Sequence, residues 1–321
     1  MNPDVAKAIP ELVRRRILPV ESASLLLRIA GDKLVSVDLE IRLLFYLGVL
    51  LTAAGAGLLV QQNYQHIGPL AIAIALGIAA LTLLGWAARH APPFSWAEAP
   101  SPSLEFDYLL LLGVLLGAAD LAFVEVQFTP LGSNWLWHLL IVSALMACAA
   151  TRYDSRTVFS LALSTFAAWR GLSVSFLEKP LWHAYDDSVR LNALGCGLLF
   201  VLLGRYLLRG RRKPHFEPVA VHLGWLLILG ALVSGGPEHG AKGMAYVVLL
   251  AMSGLWLARY CFLGRRFALF AFGVLAVYIA LAQLVFKASL DSTLELLWIT
   301  LSALALIAWL WKVQKKMKEP V

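Results

Sequence analysis

Asp120 and Arg170 are opposite charges embedded in apolar runs, Asp120 within 108–126 and Arg170 within 157–176. An ionisable side chain in hydrocarbon is costly to place, which makes it a candidate functional site by default. Asp120 stands about twelve residues past the start of its run and Arg170 about thirteen, so if both runs are helices their depths agree to ~2 Å. Two kinds of chemistry fit. The pair could wall a watery path for a small solute or an ion. It could equally be a dry ion pair that fixes packing and register.

Other polar groups gather towards the same end of the apolar runs. They are Glu125, His138, Asn192, Gln283 and Glu295, together with His183, Asp186 and Asp187 in the connection after the fifth run. An outward-facing polar cavity would explain them, as would simple polarity of span ends. His183 and Asp187 are four apart and would share a helix face. With Asp186 they are ligand types for a hard or borderline divalent cation. Two carboxylates and one histidine without further ligand spacing assign no metal, and Trp182 and Tyr185 suit the same loop to the membrane interface. No HExxH, GxSxG, phosphate loop or cysteine pair occurs, so neither a catalytic residue nor a cofactor is assigned. Cys148 and Cys196 lie in apolar runs and Cys261 beside arginines; this odd count argues against a disulfide framework.

The elements that must position these residues follow from composition. Hydrophobic residues make up 60% and charged residues 15% of the 321, and the mean hydropathy is +0.74. Soluble domains are about half apolar and a quarter charged. Lipid is therefore the expected solvent, and the fold class is all-α: a polytopic helical membrane protein of about ten transmembrane helices. A span takes roughly 20 apolar residues. The runs predict spans near 43–61, 67–88, 108–126, 133–150, 157–176, 190–208, 218–235, 243–259, 266–286 and 293–311. Asn134 and His138 interrupt the start of the fourth. The chain divides into a short cytoplasmic region, 1–40, and a transmembrane domain, 41–321.

Charge sets the orientation. With the N-terminus inside, the inner connections hold Arg89; Arg152 and Arg156; Arg205, Arg209, Arg211, Arg212 and Lys213; Arg259, Arg265 and Arg266; and Lys312, Lys315, Lys316 and Lys318. The outer ones hold Lys179, Arg190, Lys242 and Lys287, which gives fifteen against four. Positive residues favour the cytoplasmic side, so both termini are expected there. The net charge of +7 is used in this way and does not form a nucleic-acid-binding stripe. Arg205 to Lys213 is a topological signal or a site for anionic lipid headgroups. The linker from Pro92-Pro93 to Pro102 reads as a stiff connector. The first forty residues lack the apolar core of a cleavable signal peptide, so the first span is expected to act as its own insertion signal.

Residues 2–31 predict a helical hairpin. Asn2 and Pro3 suit a helix start; Val5, Ala8, Ile9, Leu12 and Val13 recur at helical spacing; Pro19 breaks the chain and Gly31 can end a second helix. So small a hairpin needs support, from a protein partner, a second copy or the membrane surface. Leu47-Gly48-Val49-Leu50-Leu51 recurs as Leu112-Gly113-Val114-Leu115-Leu116, with a shorter echo at Phe272-Gly273-Val274-Leu275. Either a hairpin is duplicated, as in many transporters, or these glycines mark close helix packing, which is the preferred reading.

The segments Ile17-Leu18-Pro19-Val20-Glu21-Ser22-Ala23, Gly55-Ala56-Gly57-Leu58-Leu59-Val60, Asn63-Tyr64 and Ile67-Gly68-Pro69 resemble a bacterial membrane-protein family known only as domain of unknown function 2157. The likeness covers the first quarter of the chain, and Arg16 stands where that family has glycine. It implies a bacterial inner-membrane protein and brings no activity. Two function classes remain. One is a membrane scaffold or envelope sensor with a cytoplasmic interaction hairpin. The other is a small-solute or ion transporter with a polar cavity around Asp120 and Arg170.

Overall fold

A computed structural model describes residues 12–14, 19, 23, 38–99, 103–171, 187–238, 240–287 and 292–318. Ten helices of fourteen residues or more occupy this part of the chain. They are α1 (Asp38–Ile67), α2 (Pro69–His90), α3 (Leu104–Phe128), α4 (Trp137–Tyr153), α5 (Arg156–Trp169), α6 (Asp187–Arg209), α7 (Glu217–Gly235), α8 (Gly240–Leu263), α9 (Phe267–Lys287) and α10 (Ser292–Lys318). One helix lies in each predicted apolar run, and no strand occurs among the described residues. Six of them, α2, α3 and α6 to α9, are long and apolar enough to cross a bilayer, which makes this an integral membrane protein. Of the predicted hairpin only 12–14, 19 and 23 are described, and 12–14 are helical; the rest of that expectation lies outside the described residues.

Local signals set the helix ends. Ser103 caps α3 by accepting from Phe106 N, and Glu105 and Asp107 in the first turn favour the dipole. Ser155 caps α5 by accepting from Val158 N. α4 starts at Trp137 because Gly132–Asn134 closes a 3-10 turn first, which shortens the helix to 17 residues. α5 has 14 residues and stops before Arg170 and Gly171, whose φ is +83°. At about 1.5 Å per residue, α4 and α5 span ~25 Å and ~21 Å, less than the ~30 Å hydrocarbon core. Residues 172–176 of the predicted fifth run lie outside the described residues.

The chain divides into two compact units, 1–65 and 66–321. In the first, α1 leaves Leu43, Leu44, Leu47, Leu50 and Leu51 exposed. In the second, successive helices pair as α2–α3, α4–α5, α6–α7 and α8–α9. Small residues let two of these pairs approach closely. A methyl group added at Gly197 of α6 would lie 2.7 Å from Gly224 O of α7, and one at Gly254 of α8 would lie 2.7 Å from Gly273 O of α9. The echoed glycines differ in use: Gly113 packs against Leu83 and Leu84, Gly273 against Gly254 and Ala258, and Gly48 has nothing within 4 Å of an added methyl. Ile228, Leu229 and Leu232 of α7 form one apolar core with Val247, Leu250 and Leu257 of α8 and Leu269, Phe270 and Ala276 of α9. α10 lays Leu310, Val313 and Met317 on it, and Tyr278 Oη of α9 lies 3.0 Å from Ser302 Oγ.

Candidate functional site

Asp120 lies on α3 where α2, α3 and α4 surround a cavity of about 270 Å³. The rest of the lining is apolar or glycine, including Gly77, Ala80, Val114, Leu121, Val142 and Met146. Gly77 on α2 makes room for the carboxylate, since a methyl there would sit 3.2 Å from Asp120 Oδ2. Asp120 Oδ1 is buried and has no hydrogen-bond partner among the described residues. A carboxyl group in so apolar a cavity is costly to leave unmatched.

Arg170 is not at this cavity. It caps the C-terminus of α5, donates from Nη2 to Asn192 Oδ1 at 2.6 Å, and its carbonyl accepts from Asn192 Nδ2 at 3.2 Å. Its guanidinium also lies over the Trp169 ring. The α5–α6 corner is thus tied by an arginine–asparagine clasp, and no ion pair joins Arg170 to Asp120 among the described residues.

The other predicted polar residues separate. Glu125 is buried near the end of α3 and accepts from Leu131 N through Oε2, closing the turn into α4. His138 is half-buried and its Nδ1 lies 2.5 Å from Trp135 O. Gln283 of α9 donates to Val233 O at the end of α7. Glu295 belongs to α10; His183 and Asp186 lie outside the described residues. Among the described residues no three metal-ligating side chains come together.

Asp187 enters an ion-pair network that joins α6, α7 and α8. Arg190, only 5% exposed, lies 2.6 Å from Glu238 and 3.2 Å from Asp187. It also donates to Ser234 O and faces the Tyr246 ring. Lys242 closes the network on Asp187 at 2.7 Å. The hydrogen bond from Arg190, and then its charge, hold the Glu238 carboxyl below its ordinary range. A depressed carboxylate contributes stability above its unfolded pKa and loses it as pH falls through its folded one. Wild-type protein should therefore lose melting temperature below about pH 4 more steeply than Glu238→Gln; parallel slopes in a pH series of thermal melts would refute this.

The opposite helix ends hold a cluster that the sequence did not single out. Asp154 closes α4 in a left-handed conformation, φ +62°. Its Oδ2 accepts from Ala99 N at 2.5 Å. Its Oδ1 lies 3.1 Å from Lys213 Nζ and 2.5 Å from His215 Nε2. The three side chains are 5%, 2% and 4% exposed. Lys213 N also donates to Trp96 O, and its ammonium lies 5.2 Å from the Phe94 ring centre. Arg156–Glu98 and Arg266–Glu217 are further pairs at these ends; the hydrogen bond to Glu217 raises the pKa of the Arg266 guanidinium, outweighing the burial that opposes its charge. The predicted headgroup cluster therefore divides. Arg209, Arg211 and Arg212 are exposed, Arg205 donates to Tyr260 Oη, and Lys213 is buried beside Asp154. The nearest sequence signal was Asp154 itself, an acid between Arg152 and Arg156.

No family model, curated protein or solved structure matches the chain.

Proposed function

We propose that this chain is a ten-span protein of a bacterial cytoplasmic membrane, with both termini in the cytoplasm, that serves as a scaffold or envelope sensor. Residues 2–31 are its interaction hairpin, for a protein partner or a second copy, and its first quarter is akin to the domain of unknown function 2157 family. The carrying observation is that charges at the helix ends are spent on one another. Asp154 with Lys213, and Glu217 with Arg266, pair at one set of ends, and Arg190 with Glu238 at the other. Groups paired in this way make a rigid platform. A transporter with a cavity around Asp120 and Arg170 is the second reading. The Asp120 cavity favours it, whereas the clasp of Arg170 by Asn192 removes one of its two walls.

Single-cysteine labelling tests the arrangement. In a background lacking Cys148, Cys196 and Cys261, cysteines replace Pro130, Arg156, Arg212 and Pro237 one at a time. A membrane-impermeant thiol reagent should reach 130 and 237 in intact cells, and 156 and 212 only in inverted vesicles. Labelling of 156 in intact cells would mean that α4 and α5 do not cross, and the ten-span reading would fail.

A further inference from the structure

We propose that the cavity bounded by α2, α3 and α4 binds a small organic ammonium ion with an apolar body, which reaches it from the bilayer. Asp120 is the only ionisable group among the described residues that line the cavity. Asp120 therefore brings a carboxylate to the wall of an otherwise apolar space, and its Oδ1, buried beside that space, has no hydrogen-bond partner among the described residues. A bound N–H donor carrying positive charge meets the carboxylate and neutralises its charge in one contact. The remaining walls, such as Ala80, Val114, Val142 and Met146, offer dispersion contacts and no further hydrogen bonds. They select a hydrocarbon body over a sugar, a phosphate or a hydrated metal ion. A volume of about 270 Å³ sits at the small end of ligand pockets and suits one aromatic ring with a short amine chain.

The route follows from the lining. Leu81, Leu121 and Leu145 line the cavity and are themselves exposed, at 70%, 37% and 55%. On membrane-crossing helices such leucines face lipid, so the cavity opens sideways towards acyl chains. Amphipathic ammonium ions concentrate at that boundary. The inference uses the membrane reading and not the scaffold role. Mislabelled loops would overturn the topology, whereas the experiment below can fail with the topology intact.

The test uses purified full-length protein in lipid nanodiscs, titrated calorimetrically against empty discs. The probes are 2-phenylethylammonium and 2-phenylethanol, which share a skeleton and a polar donor but differ in charge. Wild type should prefer the ammonium, and Asp120→Asn should weaken its binding about thirtyfold while leaving the alcohol unchanged. Gly77→Ala keeps the carboxylate but pushes a methyl against it, and should also weaken the ammonium in protein that melts normally. Equal affinity of wild type for the two probes, no binding of the ammonium, or a preference that survives Asp120→Asn would each overturn the proposal. Should Asp120→Asn fail to fold, unchanged ammonium binding by Gly77→Ala would overturn it as well.

Discussion

Asp154→Asn should lower the thermal midpoint of the purified protein on the order of 10 °C, and adding Lys213→Met should recover most of that loss. Asparagine keeps the shape of the side chain and tolerates the left-handed backbone that Asp154 adopts. It also keeps a carbonyl oxygen for Ala99 N, while its amide NH2 replaces the oxygen that faces Lys213, so the change removes the charge and the acceptor together. What remains is an ammonium with 2% of its side chain exposed and no carboxylate beside it. Removing one partner of a buried pair costs ~3–5 kcal/mol, because the other charge is left uncompensated. Lys213→Met removes that charge and retains a flexible apolar chain for the space beside Phe94. A single variant that melts within a degree of wild type would show that the pair contributes nothing. A double variant worse than the single would show that Lys213 holds the loop by something other than charge. Because Asp154, Ala99 and Lys213 sit in three different connections, the loss should appear as coupled loosening of all three. Hydrogen exchange at 91–99 and 210–216 would report it.

This cluster shows where the sequence stops being informative. The helices were legible because burial in lipid imposes a continuous apolar run on each, a signal local to about twenty residues. Asp154, Lys213 and His215 meet only through the packing of hairpins, and each is separately unremarkable. Lys213 looked like the last member of a basic topological run, and nothing in that run marks which cation turns inward. Arg170 was misleading for the opposite reason. Counted from the start of its run, it matches Asp120 in depth. The helix, however, ends at Trp169, and Gly171 with positive φ follows, so Arg170 is a helix-end residue clasped by Asn192. A glycine directly after a basic residue was the available stop signal. Asp120 was legible as costly and therefore as a candidate, since charge in an apolar run is visible locally. The cavity around it was not, because its walls come from three helices and its polar partner is missing from them.

Gly197→Leu and Gly224→Leu should each destabilise the protein by ~3–5 kcal/mol, whereas Gly195→Leu and Gly230→Leu should be tolerated or slightly stabilising. All four glycines lie in α6 or α7, so helix propensity alone predicts a gain at every one. Space separates them. An added methyl meets nothing within 4 Å at Gly195 or Gly230. At Gly197 it would lie 2.7 Å from Gly224 O and 3.1 Å from Ile228 N, and at Gly224 it would lie 2.7 Å from Gly197 O and 3.0 Å from Val201 N. The obstacles are backbone atoms, which cannot rotate away as a side chain can. The helices must separate instead, and separation forfeits the dispersion contacts that drive helix association in lipid, where no hydrophobic effect replaces them. The spreading would also strain the ends of the same hairpin, where Lys213 and His215 meet Asp154. Thermal melts of the four variants in one detergent decide the matter. Losses at 197 and 224 confirm a backbone-to-backbone crossing. Four similar midpoints would mean that α6 and α7 are farther apart in the membrane than this packing requires, and the rigid platform inferred from their paired ends would lose its foundation.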